Sequence, residues 1–350
     1  MGHFGHAGAL SSPLITEVGH ILRSRRAVDG DDSTGGQLPV HGSVDLRCAG
    51  RMPEPATARA PVRTNGGVFS RAEWHAEGGT RRGLEASLKQ GTFWRVSPGW
   101  FATPDASAAV VEAVRLHGRA TCLTALSSQG VWTPPHSGVH VRIAASALGI
   151  TRTTSSNPRT GEVVLHRASV HQARPLEKHA VDDVDLALEC ALLCLPERDL
   201  VVVADSALQS RLITRSSLTA LAAPLAVSAR EKLRFVDARS QSGTESIVRL
   251  WLQLSGVRVT PQFHVVGVGD VDLLVGDRLV IECDSKEFHS AEWHSRNDRR
   301  RDLVLNRLGY RVLRLTYEQV MFQWPRVEAT LRALLAEGSH VRGSRRRPGA

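Results

Sequence analysis

Val271-Asp272-Leu273-Leu274-Val275-Gly276-Asp277-Arg278-Leu279-Val280-Ile281-Glu282-Cys283-Asp284 decides how the C-terminal part of this chain folds. Aliphatic residues flank Gly276-Asp277-Arg278 on both sides, the pattern of a β-hairpin with a core-facing side. Asp272, Glu282 and Asp284 interrupt it, and a buried carboxylate is costly unless it meets a cation or a hydrogen-bond donor. The turn decides whether these acids meet. An odd turn centred on Asp277 pairs Val275 with Leu279, Leu273 with Ile281 and Val271 with Cys283, which makes one apolar face. The other face then holds Asp272 across from Glu282, with Asp284 further along the same strand. An even turn would separate Asp272 from Glu282 and bury Glu282 among aliphatics, so the odd register is expected. Opposed carboxylates repel, and a divalent cation between them removes the conflict.

Around the hairpin the pattern alternates. Ser242 to Leu254 reads as a helix stopped by Gly256, and Arg258 to Val266 as a strand whose Pro261 marks a sheet edge. After the hairpin come a helix from Trp293 to Leu308 ended by Gly309, a strand from Arg311 to Thr316, and a helix through Leu335. The order α-β-β-β-α-β-α predicts an α/β (α+β) domain, a mixed sheet flanked by helices.

Several side chains have two readings. Ser242-Gly243-Thr244-Glu245 fits a capping box, and Glu245 could equally help place a metal. His289 is either a base or phosphate ligand, or a surface histidine at a strand-to-helix turn. Arg296, Arg300 and Arg307 share a helical face that could grip phosphates; with Asp298 and Asp302 nearby they could instead form a salt-bridged solvated face. Arg301 with Asp298 could buttress the same helix.

Glu245, Gly269-Asp270-Val271-Asp272, Glu282-Cys283-Asp284, His289 and the run from Asn297 to Thr316 (NDRRRDLVLNRLGYRVLRLT) resemble the PD-(D/E)XK nuclease superfamily. The branch most similar is the domain-of-unknown-function 559 group, related to very short patch repair endonucleases, over residues 240 to 325. The resemblance implies a restriction-endonuclease-like fold and Mg²⁺-dependent phosphodiester hydrolysis, with Mn²⁺ as a substitute. Asp272 is then the first metal ligand, Glu282 the second, and Asp284 a third or supporting group. One departure matters: the general motif ends in Lys where this chain has Asp284. The patch-repair relatives also lack that Lys and use histidine, which gives His289 a compensating role, and Lys286 lies close in sequence.

Further upstream, Phe69 to Trp74 reads as the start of a short helix, Thr80 to Gly91 as a capped second helix, and Phe93–Val96 with Trp100–Thr103 as a hairpin. From Gly67 onward this resembles the winged helix-turn-helix of AbiEi-antitoxin-like proteins, which would bring Arg81, Arg82 and Lys89 to a DNA backbone. A protein-docking module of the same shape is the competing reading. Residues 1–60 read as a disordered extension, 64–105 as the winged helix, 106–235 as a mixed α/β middle region, 236–338 as the nuclease-like domain and 339–350 as a flexible basic tail. Met52 is an alternative start.

In the middle region, helices are expected at Ala108–His117, Asp183–Cys194 and Ser217–Leu221, and strands at Val139–Ile143 and Val163–His166. His136, His140, His166, His171 and His179 lack ligand spacing and read as scattered surface histidines, and Cys190 and Cys194 as buried thiols rather than a metal clip.

The chain carries a net charge of +9, with four lysines among 44 basic residues and the other 40 arginine. That balance favours an anionic partner, nucleic acid and double-stranded DNA first. Five scattered cysteines without a CxxC pair point to a reducing cytoplasm, and no apolar run suits a membrane. The leading expectation is a metal-dependent DNA endonuclease. The alternative is a nuclease-fold DNA-binding regulator or antitoxin-like protein that does not cut, with a toxin or a second copy as partner.

Overall fold

The computed structural model describes residues 66–136, 138–144, 162–167, 179–284 and 293–342, with the side chains of Arg167 and of 293–299 left aside. All of them fall in one compact unit, Pro55–Ala350. The extension assigned to residues 1–60, the segment 151–161, whose Thr, Ser, Asn and Pro content reads as a loop, and His171 lie outside the described residues.

Strand β1 (Val68–Ser70) leads directly into helix α1 (Arg71–Ala76). Phe69 is therefore in a strand and not at a helix start; the helix begins after Ser70, whose hydroxyl accepts from Glu73 N while Glu73 returns a bond to the Ser70 amide. Helix α2 (Arg81–Lys89) is capped by Thr80, as its sequence predicts. Strands β2 (Trp94–Ser97) and β3 (Trp100–Ala102) close the hairpin, and the sheet order is β1-β3-β2. Phe69, Trp74, Leu84, Phe93 and Phe101 form its small core.

The middle region is more helical than its sequence suggested. After α3 (Ala108–Arg115) and β4 (Arg119–Ala120) comes α4 (Cys122–Ser128), and between α5 (Val184–Cys194) and α7 (Arg215–Ala222) lies α6 (Glu197–Gln209). Both α4 and α6 escaped the sequence reading. In α6, Leu200 to Ala204 is a continuous buried run, and burial on several faces erases the amphipathic period that reveals a helix. A second sheet has β5 (Val139–Ile143) between β4 and a parallel β6 (Val163–Arg167). The surface assignment of His140 is wrong: it is 5% exposed on β5, with Nδ1 3.0 Å from Nε2 of His166. Beside it on the same strand Arg142 makes a bidentate pair with Asp182, both contacts 2.7 Å and both side chains buried. A short α8 (Val227–Glu231) and a 3₁₀ turn (Lys232–Phe235) lead out.

The C-terminal elements follow the predicted order: α9 (Gly243–Leu254), β7 (Val259–Val265), β8 (Gly269–Val275), β9 (Leu279–Asp284), α10 (Trp293–Arg307) and β10 (Arg311–Thr316). The sheet order β10-β9-β8-β7 leaves β7 and its Pro261 at the edge. The last helix is in fact two, α11 (Tyr317–Phe322) and α12 (Trp324–Ala336), with Pro325 in the first turn of the second. The segment 339–342, assigned to a flexible tail, instead packs on the β8–β9 turn: Asp277 N donates to the His340 carbonyl, and a Cβ on Gly276 would lie 2.1 Å from that oxygen.

One buried cluster joins α6 to α9. Asp205 accepts from Arg249 Nη2, Ser246 Oγ and the Asp237 amide, each at 2.6 Å, and Arg249 is fully buried. Trp132 adds a steric lock, since a Cβ on Gly243 would fall 2.3 Å from its ring. Helix α9 therefore cannot shift without breaking contacts to the middle region. Asp205→Ala leaves the Arg249 guanidinium without its counter-ion and should destabilise the chain by about 3–5 kcal/mol, with Asp205→Asn losing less. Denaturant titration of both variants checks the order; equal midpoints for Asp205→Ala and the parent would remove this cluster from the account of α9.

Candidate functional site

Strands β8 and β9 pair only from Val275–Leu279 to Leu273–Ile281. That is the odd register predicted for the turn. Beyond it β8 continues along β7 to Gly269, while β9 continues along β10 to Asp284. The strands part, and Asp272 and Glu282 stand at the fork. The expected Val271–Cys283 pair is absent from the ladder, and Val271 packs with Leu274, Val280 and Leu305 rather than with Leu273 and Ile281. The hairpin thus has apolar residues on both faces, and the second face is covered by α10 through Leu305.

Side chains take over the hydrogen bonding where the ladder ends. Cys283 N donates to Asp272 Oδ2 at 2.7 Å, and Asp272 N donates to Glu282 Oε2 at 3.3 Å. The two acids are therefore woven into the backbone of the fork, and buried amides there keep partners.

Helix α9 brings the third acid. Ser242 Oγ accepts from Glu245 N, which is half of the anticipated capping box. The return bond does not go to Ser242: Glu245 Oε2 accepts from the Gln241 amide at 2.9 Å and from Gln262 Nε2 at 3.1 Å. Gln262, on β7 beside Asp272, has a backbone φ of 49°, and its side chain also hydrogen-bonds Asp272. It links two of the three carboxylates, and a lone Gln in a strand gives no signal of that in the sequence.

The cations come from α10 and β10. Arg301 Nη2 donates to the Asp270 carbonyl at 2.7 Å and to Glu282 Oε1 at 3.3 Å, so it reaches into the fork. Asp302 binds Arg314 at 2.9 Å rather than an arginine of its own helix, and Arg314 also approaches Asp284 at 3.6 Å. Asp284 is exposed, its side chain 53% accessible. Arg300 and Arg307 are exposed, two helical turns apart. The side chains of Arg296 and Asp298, and the whole of Lys286 and His289, lie outside the described residues. On α2, Arg81 pairs with Glu85 at 2.9 Å, and Arg82 and Lys89 are exposed.

Burial sets the electrostatics of the trio. Glu245 is 4% and Glu282 7% exposed. Burial first, and the neighbouring Asp272 second, push both carboxyls up to about 7. Burial also raises Asp272, against the pull of the Cys283 amide and the Glu282 and Gln262 side chains. These groups crowd negative charge with too little positive charge to balance it. All offer hard carboxylate oxygens, the donor type that suits a divalent cation such as Mg²⁺.

The family model REase_MTES_1575, for restriction-endonuclease-like domains, matches residues 245–335. That span begins at Glu245 and takes in the fork, α10, β10 and most of α12. The C-terminal part of the chain is a restriction-endonuclease-like, nuclease-type domain. No curated protein matches the chain. Among the described residues no helix is long and apolar enough to cross a membrane.

The raised carboxyls make a pH prediction. In the folded chain Glu245 and Glu282 still hold protons up to about 7, whereas unfolded glutamate releases them near 4.5. Across that window the folded state binds more protons, so this contribution to stability falls as pH rises and is level above it. In the presence of a chelator, Glu282→Gln should gain stability relative to the parent as pH rises through the window. Paired thermal melts read the difference, and a gap that does not change with pH would contradict the assigned protonation.

Proposed function

We propose that the chain is a metal-dependent DNA endonuclease, in which the C-terminal domain cuts and the N-terminal unit holds the duplex. The observation that carries this reading is the convergence of Glu245, Asp272 and Glu282, three carboxylates from α9, β8 and β9, at a fork in the sheet of a restriction-endonuclease-like domain. The finer assignment is to the domain-of-unknown-function 559 group and its patch-repair relatives, with an AbiEi-like winged helix in front.

In this reading Asp272 and Glu282 hold Mg²⁺, Glu245 supports them, and Asp284 contributes from the rim. The bound ion would polarise the scissile phosphate and make its water a better nucleophile. Gln262 orients Glu245 and Asp272, and Arg301 fixes Glu282. Arg300 and Arg307 meet phosphates beside the fork, with Arg296 on the same helix, and His289 accepts a proton from the attacking water. In front, β1 to β3 with α1 and α2 serve as the winged helix, with Arg81, Arg82 and Lys89 on its recognition helix. The proposed division is 64–105 for DNA docking, 106–235 for orientation, and 236–338 for cutting.

A second reading, a regulator that binds DNA without cutting, is favoured by Asp284. It stands where the general motif has Lys, and it lies 3.6 Å from Arg314.

Asp272→Asn keeps an oxygen for the Cys283 amide, so the fold should survive while metal binding is lost. Supercoiled plasmid with Mg²⁺ or Mn²⁺ should be nicked or linearised by the parent, and not by Asp272→Asn at an unchanged melting temperature. Equal cutting by the variant would sink the site; a gel shift without cutting by either protein would establish the binding-only reading. Substituting Arg82 and Lys89 together by Ala should weaken binding to all duplexes alike and flatten the salt dependence by about one to two phosphate contacts. An unchanged salt slope would place the docking surface elsewhere.

A further inference from the structure

Cys122, His140, His166 and Cys194 come together in the middle region, away from the carboxylate fork. One ligand atom from each lies within 4.8 Å of all the others. His140 Nδ1 is 3.0 Å from His166 Nε2 and 3.9 Å from Cys194 Sγ. We propose that these four side chains form a structural zinc site.

Geometry supports this reading over a chance cluster. Zn–S and Zn–N bonds of normal length place tetrahedral donor atoms about 3.3–3.8 Å apart, close to the spacings found. The donors come from four separate elements: the start of α4, β5, β6 and the end of α5. Four independent elements aim at one point. Cys122 is held there with a φ of 47°, in the left-handed region that a residue with a Cβ rarely adopts.

The chemistry selects the ion. Two thiolates and two imidazoles are soft and borderline donors, suited to zinc and poorly suited to magnesium. Four protein donors fill a tetrahedron and leave no position for substrate, which marks a structural rather than a catalytic centre. Its position gives it a purpose. A metal there ties α4 and α5 to the β4–β5–β6 sheet, and α5 leads into α6, whose Asp205 holds α9. The site would therefore fix the frame on which the carboxylate fork is mounted, without entering its chemistry.

The test uses the full chain, produced with zinc in the medium and purified without chelator. Elemental analysis should find about one zinc ion per chain. Replacement by Co²⁺ should give the visible absorption of a tetrahedral thiolate–imidazole centre. Asp272→Asn should keep the zinc, whereas Cys194→Ser and His166→Ala should lose it. Because those two variants could fail to fold, the parent supplies an independent readout: stripping zinc with a strong chelator should expose Cys122 and Cys194 to alkylation together, in step with metal release. Three results would overturn the proposal. They are a metal-free parent that takes up neither Zn²⁺ nor Co²⁺, full zinc content in a Cys122→Ser/Cys194→Ser double variant, or a Cys122–Cys194 disulfide in place of the metal.

Discussion

Past Leu273 and Ile281 the amides of β8 and β9 no longer face one another, because β8 stays with β7 and β9 stays with β10. Backbone groups at such a divergence lose their ladder partners, and in a buried place they must find others. Asp272 and Glu282 supply them, which is why Glu282 is buried and Asp272 half-buried. The cost is electrostatic. Two carboxylates, and Glu245 as a third, share a region in which Arg301 donates to Glu282. The divergence thus creates the hydrogen-bonding need that buries the acids, and their burial creates the affinity for protons or a cation.

Holding Glu245 in that arrangement depends on helix α9, and α9 depends on the middle region. Its first turn is pressed against Trp132, where only Gly243 fits, and Arg249 in its second turn is buried against Asp205. A carboxylate in the first turn also meets the positive end of the helix dipole, and Glu245 uses that position to take the Gln241 amide. A helix with one face pinned to a neighbouring region delivers a side chain more reproducibly than a loop could. The middle region is accordingly part of the site's support.

The sequence revealed what local periodicity and turn chemistry encode. Gly276-Asp277-Arg278 between aliphatic runs pointed to the odd register, and Thr80 and Ser242 marked helix starts through their capping oxygens. The break between α11 and α12 was missed, because apolar spacing from Val320 to Leu334 runs through Pro325 and hid it. What escaped was set by tertiary packing. Arg301 and Arg314 cross between elements to reach Glu282 and Asp302, where i, i+4 spacing suggested partners on the same helix. Gln262 matters through a φ of 49° on an edge strand, which no residue pattern announces. The Cys and His residues of the middle region are far apart along the chain, so spacing rules built on neighbouring ligands pass over them.

The two clusters differ in donor hardness, and in the proposed reading that difference would keep their ions apart. Carboxylate oxygens at the fork favour a hard cation that retains its waters, as a centre open to substrate requires. Thiolate and imidazole donors in the middle region favour zinc and close around it. Magnesium, abundant but reluctant to shed water, cannot compete for the sulfur site. If the proposed nuclease and zinc centres both hold, a chelator strong enough to strip both ions would abolish cutting for two separate reasons, loss of the reacting centre and loosening of the frame that holds α9. Only restoration by Mg²⁺ alone, with zinc still in place, isolates the chemistry at the fork from the stability of its support.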